Sequence, residues 1–381
     1  MSPALPGRPF SLHLPEDILD DLRRRLEATR FPDRQAGVDW QTRTPLDYAR
    51  RLHRHWLDRF DWRAWERKIN GFQQYMVDLD HPVHVIVEPG SGRAPLPLLL
   101  TNGWPSTFVE FLEVIDLLAH PERHGGNQDD AFTVVVPSMP GYGLSPAPSR
   151  AVTPVEIAGL WSRLMTDIFG FERYAAFGSD WGSLVTSKLA QDHPRGLTSF
   201  MLTTPGGFPA AVAPDTLTDE ERAWQAAAER YATQESAYQQ VQRTKPQSLA
   251  YGQTDSPMGL ACWVAEKFHG WTVPGSVDDP PFPMDELLAN IMLYWTNGCI
   301  APMWLYMSLG DPSAMAVRPT SVPAAFLQMS KDLVPPAPRS WLERSYNVSR
   351  YTVSDGGHFP GFDNRELLVS ELREFARPYR N

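Results

Sequence analysis

The stretch Tyr174-Ala175-Ala176-Phe177-Gly178-Ser179-Asp180-Trp181-Gly182-Ser183-Leu184 decides how this chain reads. An apolar, aromatic run ends in small residues; a carboxylate and a glycine follow. Leu184, Val185 and Leu189 then continue at helical spacing. The pattern predicts a strand, a sharp turn and a helix, with Asp180 at the turn, where a side chain is pushed out of the sheet edge. A serine between glycines is the usual occupant of such an elbow. With aspartate there, the attacking group is a carboxylate, and it makes an ester with its substrate. That chemistry suits alkyl carbon centres, such as epoxides or alkyl halides, better than ester or peptide carbonyls. Taken alone, Asp180 reads equally well as a helix N-cap.

Composition narrows the setting. The 381 residues are 42% hydrophobic and 21% charged, the balance of a soluble globular chain long enough to bury a core without staples. A net charge of -10 with no basic run argues against a nucleic-acid partner. Two cysteines, Cys262 and Cys299, fit neither a disulfide framework nor a metal cluster, so a reducing, cytoplasmic location is expected. The leading Met1-Ser2-Pro3-Ala4-Leu5-Pro6-Gly7-Arg8 lacks a signal-like apolar core. No uncharged apolar run approaches the roughly 20 residues needed to span a bilayer.

Four segments follow from the patterning. In residues 1–75, Pro9-Phe10-Ser11-Leu12-His13-Leu14 alternates as a short strand. Ile18, Leu19, Leu22 and Leu26 then mark a helix, Tyr48, Leu52, Trp56 and Leu57 a second, and Trp62, Trp65 and Ile69 a third. This part reads as a packing appendage. In residues 76–210, strands at Val83–Val87, Leu96–Leu100, Phe132–Val136, the elbow and Thr198–Thr203 alternate with helices at Phe108–Leu118 and 153–169. In residues 211–312 that rhythm stops. Helices are predicted over Asp219–Gln242, Met258–Phe268 and Met284–Tyr306, the last broken at Pro302. Residues 313–381 resume with strands at Val322–Met329 and Ser349–Val353 and a closing helix, Asn364–Phe375. The expected class is therefore α/β, a mostly parallel central sheet flanked by helices. A helical cap is inserted over residues 211–312, and an N-terminal helical extension precedes the core.

In such sheets, sites collect at the carboxyl ends of the strands. Asn102, Asp180, Asp332 and His358 all sit at predicted strand ends. The glycines before His358, in Ser354-Asp355-Gly356-Gly357-His358-Phe359, let an imidazole reach across the site. The order nucleophile, acid, histidine is the order of this fold. Asp180 would attack carbon; His358, oriented by Asp332, would deprotonate water for attack on the ester. The oxyanion needs two backbone amides, and those of Trp104 and Trp181 are the candidates. Singly, His358 reads as a structural loop histidine and Asp332 as an ordinary loop carboxylate; the weight lies in the set. Met139-Pro140-Gly141-Tyr142-Gly143-Leu144-Ser145 reads as a tight loop shaping the site floor.

These motifs resemble, nearly end to end, the epoxide hydrolases of the α/β-hydrolase superfamily, in the branch of the microsomal and juvenile-hormone enzymes. Asn102-Gly103-Trp104-Pro105 resembles the family's oxyanion motif, and Gly178-Ser179-Asp180-Trp181-Gly182 its elbow. Lys331-Asp332 resembles the acid segment and Gly356-Gly357-His358-Phe359 the histidine loop. Arg30-Phe31-Pro32-Asp33 with Trp56, Trp62 and Trp65 resembles the N-terminal meander. The resemblance implies two cap tyrosines that hydrogen-bond the epoxide oxygen. Tyr238 matches the first and Tyr306 the second, with Tyr294 competing. Phenol donors suit this step because ring opening creates an alkoxide. Two positions depart from the family: Asn102 stands where histidine is usual, and Asp332 where many relatives have glutamate. No counterpart of the microsomal anchor is expected.

The expectation is a cofactor-free, metal-free epoxide hydrolase forming vicinal diols from an apolar epoxide and water. No nucleic acid or membrane anchor is expected, and a homodimer is left open. The rivals are a haloalkane dehalogenase, with Trp104 and Trp181 as halide donors, and a non-catalytic relative acting as a binding protein.

Overall fold

The computed structural model describes residues 7–33, 40, 44–209, 212–273 and 283–380. The expected boundary at 210/211 and residues 1–6 lie outside that set.

Among the described residues, nine strands form the central sheet: β1 (Arg8–Pro9), β2 (Gln74–Asp78), β3 (Pro82–Glu88), β4 (Leu96–Thr101), β5 (Phe132–Pro137), β6 (Tyr174–Gly178), β7 (Leu197–Leu202), β8 (Pro323–Met329) and β9 (Asn347–Ser354). Their order is β1-β2-β3-β5-β4-β6-β7-β8-β9. The pairs β1–β2, β2–β3 and β3–β5 are antiparallel, and every pair from β5 to β9 is parallel. The inner strands are apolar throughout because helices cover the sheet. Leu98, Leu99 and Leu100 of β4 and Val134, Val135 and Val136 of β5 are all buried. Helix Pro154–Arg163 packs on helix Trp181–Asp192, and Leu112–Ala119 on Arg365–Ala376.

Several expectations need correction. The alternating Pro9–Leu14 segment is a strand only at Arg8–Pro9, which pairs with Tyr75 and Met76. After one more backbone bond, from the Phe10 N–H to the Gln74 carbonyl at 2.9 Å, side chains replace the ladder: Leu12 exchanges two 2.8 Å hydrogen bonds with Asn70, and the Leu14 N–H donates to Glu66 at 2.7 Å. Strand β2 and the helix Pro246–Asp255 were not expected from the sequence. The helix predicted over Asp219–Gln242 is two, Asp219–Gln234 and Ala237–Thr244. The break predicted at Pro302 falls instead at Gly298, whose φ of 97° no β-carbon-bearing residue adopts comfortably. Pro302 sits in the first turn of Ile300–Trp304, where a missing N–H costs no helical bond.

The N-terminal helices brace the inserted ones. Arg25 bonds the Asp255 carbonyl at 2.7 Å and its carboxylate at 2.9 Å, Thr44 donates to the Cys262 carbonyl at 3.0 Å, and His55 meets Asp285 at 2.6 Å. From the core side, Arg344 pairs at 2.7 Å with Glu221, which also closes a capping box with Thr218. Cys262 and Cys299 are free thiols. Among the described residues, no helix is long and apolar enough to cross a membrane.

Candidate active site

Strands β4, β6, β8 and β9 end at Thr101, Gly178, Met329 and Ser354, and the candidate residues follow directly. Asp180 has φ 52° and ψ -126°, the one positive φ outside glycine among the described residues. The turn is that tight because helix Trp181–Asp192 starts against β4: a Cβ on Gly182 would lie 2.0 Å from the Thr101 carbonyl oxygen. The Asp180 carboxylate does not cap this helix. Its Oδ1 accepts the Trp104 N–H at 2.9 Å, and its Oδ2 lies 3.2 Å from His358 Nε2. The cap reading of Asp180 is thereby set aside.

His358 is buried, with Nδ1 2.6 Å from Asp332 Oδ1, so the shorter carboxylate reaches the imidazole. The loop is pinned by its own backbone: the His358 N–H donates to the Trp271 carbonyl at 2.6 Å, and the Gly357 N–H to Asp363 at 3.0 Å. Burial by itself would lower the His358 pKa. Asp332 and Asp180 more than offset that and hold it well above the ordinary imidazole value.

Asn102 serves the turn after β4 from within, donating to the Gly103 carbonyl at 3.1 Å and to Ser106 Oγ at 3.2 Å. Asn290 donates to the Pro105 carbonyl at 2.7 Å, and Tyr294 to the Ser106 carbonyl at 3.0 Å. Tyr294 thus holds the turn after β4, and of the two competing tyrosines it is Tyr306 that lines the cavity. Ser106 also donates to the buried Glu110 at 2.6 Å. Burial pushes that carboxyl up to about 7.

The cavity, about 290 Å³, is walled by Asp180, Trp181, Tyr231, Tyr238, Tyr306 and His358, with a mostly apolar remainder in which Thr204 and Gln239 are the polar members. Tyr238 stacks on Trp104 with ring centroids 5.3 Å apart, and Tyr306 stands edge-on to Trp181 at 5.0 Å. The two phenol rings are 5.9 Å apart. Burial first, then Asp180 among other neighbours, pushes both hydroxyls up, so both are protonated donors near neutrality. The structure therefore brings Asp180, His358, Asp332, Tyr238, Tyr306 and the Trp104 and Trp181 segments to one place. Trp271 and Glu110 were not singled out in the sequence. Glu110 carried one signal, its i,i+4 spacing from Ser106, while Trp271 had none, lying 87 positions before His358. The Met139–Ser145 loop is structural, with Ser145 accepting from the His84 N–H at 2.9 Å.

A mostly parallel sheet whose elbow carries an aspartate, in reach of a histidine and a second aspartate, defines an α/β hydrolase with a carboxylate at its elbow. Within that class, the chain belongs to the epoxide hydrolase family, enzymes that open epoxides with water. The family description "Epoxide hydrolase N terminus" matches residues 7–111, and "alpha/beta hydrolase fold" matches residues 97–254. The chain is 31% identical to epoxide hydrolase 1 of Sus scrofa over 97% of this chain and 88% of that protein. The solved epoxide hydrolase of Aspergillus niger is 25% identical, with a TM-score of 0.84 over 98% of this chain and 96% of its own. The juvenile hormone epoxide hydrolase of Bombyx mori shares the fold, at 23% identity and a TM-score of 0.87 over 99% and 95% of the two chains.

Proposed function

We propose that Asp180 is the nucleophile, Tyr238 and Tyr306 the oxygen activators, and His358 with Asp332 the water-activating pair of an epoxide hydrolase acting on an apolar epoxide. The observation that carries this reading is the carboxylate of Asp180, held on one oxygen by the Trp104 N–H and facing His358 with the other. Oδ2 attacks an epoxide carbon from its own side of the cavity. The carbon–oxygen bond breaks, and a phenol proton quenches the alkoxide. Oδ1 becomes the ester carbonyl oxygen, already on the Trp104 amide.

Esterification removes the Asp180 charge that supports protonated His358. The imidazole then loses its proton more readily and serves as base toward water. Water attacks the ester carbonyl, the amides of Trp104 and Trp181 hold the oxyanion, and the diol leaves. The helices from Asp219 to Met315 act as the cap that brings the tyrosines over the site. The apolar cavity wall supports an apolar substrate. The two free thiols support a cytoplasmic setting. We read the enzyme as working without a cofactor or a nucleic-acid partner.

The test is a single turnover in ¹⁸O-labelled water. Label is expected in the Asp180 carboxylate, because water attacks the ester carbon and the diol leaves with the original Oδ2. Label in the diol, with none in the Asp180 peptide, would rule the ester out.

A further inference from the structure

Tyr231 stands in the cavity wall beside the assigned residues, on helix Asp219–Gln234, one short break before the helix that carries Tyr238. Its hydroxyl is fully buried and within electrostatic reach of the Tyr238 hydroxyl, but it makes no hydrogen bond of ordinary geometry. An orphaned buried hydroxyl is costly, and in native folds it is uncommon. One in a reaction cavity points to a state of the site in which it is satisfied.

The surroundings of Tyr238 identify that state. Gln239 Nε2 donates to the Tyr238 oxygen at 2.9 Å. Lys267 Nζ, itself paired with Glu266, lies 4.5 Å above the Tyr238 ring. Burial and then Asp180 push the Tyr238 hydroxyl up, while Gln239, Tyr231 and Tyr306 push it back down. Tyr306 has no such set; its hydroxyl is driven up by burial, Tyr238, Asp180 and Tyr142, with Trp181 alone acting the other way. Donors and a cation therefore gather on Tyr238, where negative charge on the oxygen is best tolerated. Where two titratable groups are pushed apart, their acid and base assignments separate.

We propose that Tyr231 is a third phenol of the site, a positioning residue that donates its hydroxyl hydrogen to the Tyr238 oxygen once Tyr238 has given up its proton. This rests on Tyr238 being an oxygen activator. In the alkylation step, the bond between Asp180 Oδ2 and carbon forms as the epoxide carbon–oxygen bond breaks. The electron pair goes to that oxygen, which takes the Tyr238 proton. The Tyr238 phenolate accepts from Gln239 and Tyr231. In hydrolysis water gives up both its protons: His358 takes the first and passes it to the departing diol oxygen, and the second, released as the Asp180 carboxylate re-forms, returns to Tyr238, so the cycle closes with epoxide and water consumed and diol released.

The experiment compares Tyr231→Phe with the unaltered enzyme in three readouts. Rapid mixing should show alkylation about tenfold slower, the weight of one hydrogen bond to a charged group, with ester hydrolysis unchanged. Ultraviolet titration at alkaline pH should show one tyrosine ionising at higher pH. The midpoint of thermal unfolding should stay level or rise, because the hydroxyl removed makes no well-formed hydrogen bond in the resting site. Gln239→Leu should slow the same half-reaction. Unchanged alkylation and titration in the folded variant would overturn the proposal, as would equal loss in both half-reactions or a rise in KM alone. Tyr238→Phe, run alongside, separates the two readings: if it is harmless, the assignment of Tyr238 fails; if it is damaging while Tyr231→Phe is not, the role of Tyr231 alone fails.

Discussion

The Trp104 N–H meets Oδ1 of Asp180 at 2.9 Å, across 76 positions of sequence. The contact exists because β4 and β6 are neighbours, with Thr101 and Gly178 in register, so the two following turns face each other. Gly103 makes the approach possible: a Cβ there would lie 2.0 Å from Asp180 Oδ1. Gly103→Ala should cut diol formation by roughly 10²-fold, since displacing a reacting group by about 1 Å costs that much. Steady-state kinetics beside a thermal melt checks it; near-normal kcat in a folded variant would contradict the arrangement.

The protonation of His358 depends on the carboxylate it faces. In Asp180→Asn, which imitates the neutral ester, the His358 pKa should drop below its value in the unaltered enzyme, because one of the two supporting charges is gone. Imidazole NMR titration reads this directly. A histidine that titrates identically in both proteins would remove the proposed switch between half-reactions.

Removing one phenol should slow ring opening while leaving the ester's hydrolysis alone. Tyr238→Phe and Tyr306→Phe are each expected to reduce the alkylation rate by roughly 10²-fold, the lower range for a positioned general acid. The double variant should lose far more. Burst kinetics following intrinsic tryptophan fluorescence separates the steps, helped by the indoles of Trp104 and Trp181 in contact with these rings.

Glu110 should leave a signature in stability. Burial raises its carboxyl from 4.5 to about 7. The folded protein therefore keeps this proton at a pH where the unfolded chain has released it. Stability falls as pH rises across that window, by up to about 3 kcal/mol, and levels off above it. Glu110→Gln, which can still accept from Ser106, should flatten the slope. Urea unfolding between pH 5 and 8 measures it, and an equal slope in both proteins would show that Glu110 is not its source.

Much of this protein was legible in its sequence because the signals were local. The elbow at Asp180, the turn Asn102-Gly103-Trp104-Pro105, the loop ending in His358 and the alternation of strands with helices each lie within a few residues of chain. Local sterics and hydrophobic periodicity specify them before any long-range contact forms. The sequence by itself thus determined the α/β class, the strand-end positions of Asp180, Asp332 and His358, and the family. Tertiary structure alone decided which way side chains point. It turned Asp180 away from its own helix, gave Tyr294 to the Ser106 carbonyl and Tyr306 to the cavity, bound Asn102 into its turn, and buried the Tyr231 hydroxyl without a well-formed hydrogen bond. Apart from the Asn102 bonds within their own turn, these outcomes are set by packing between segments far apart in the chain, and no spacing within a single segment encodes such contacts.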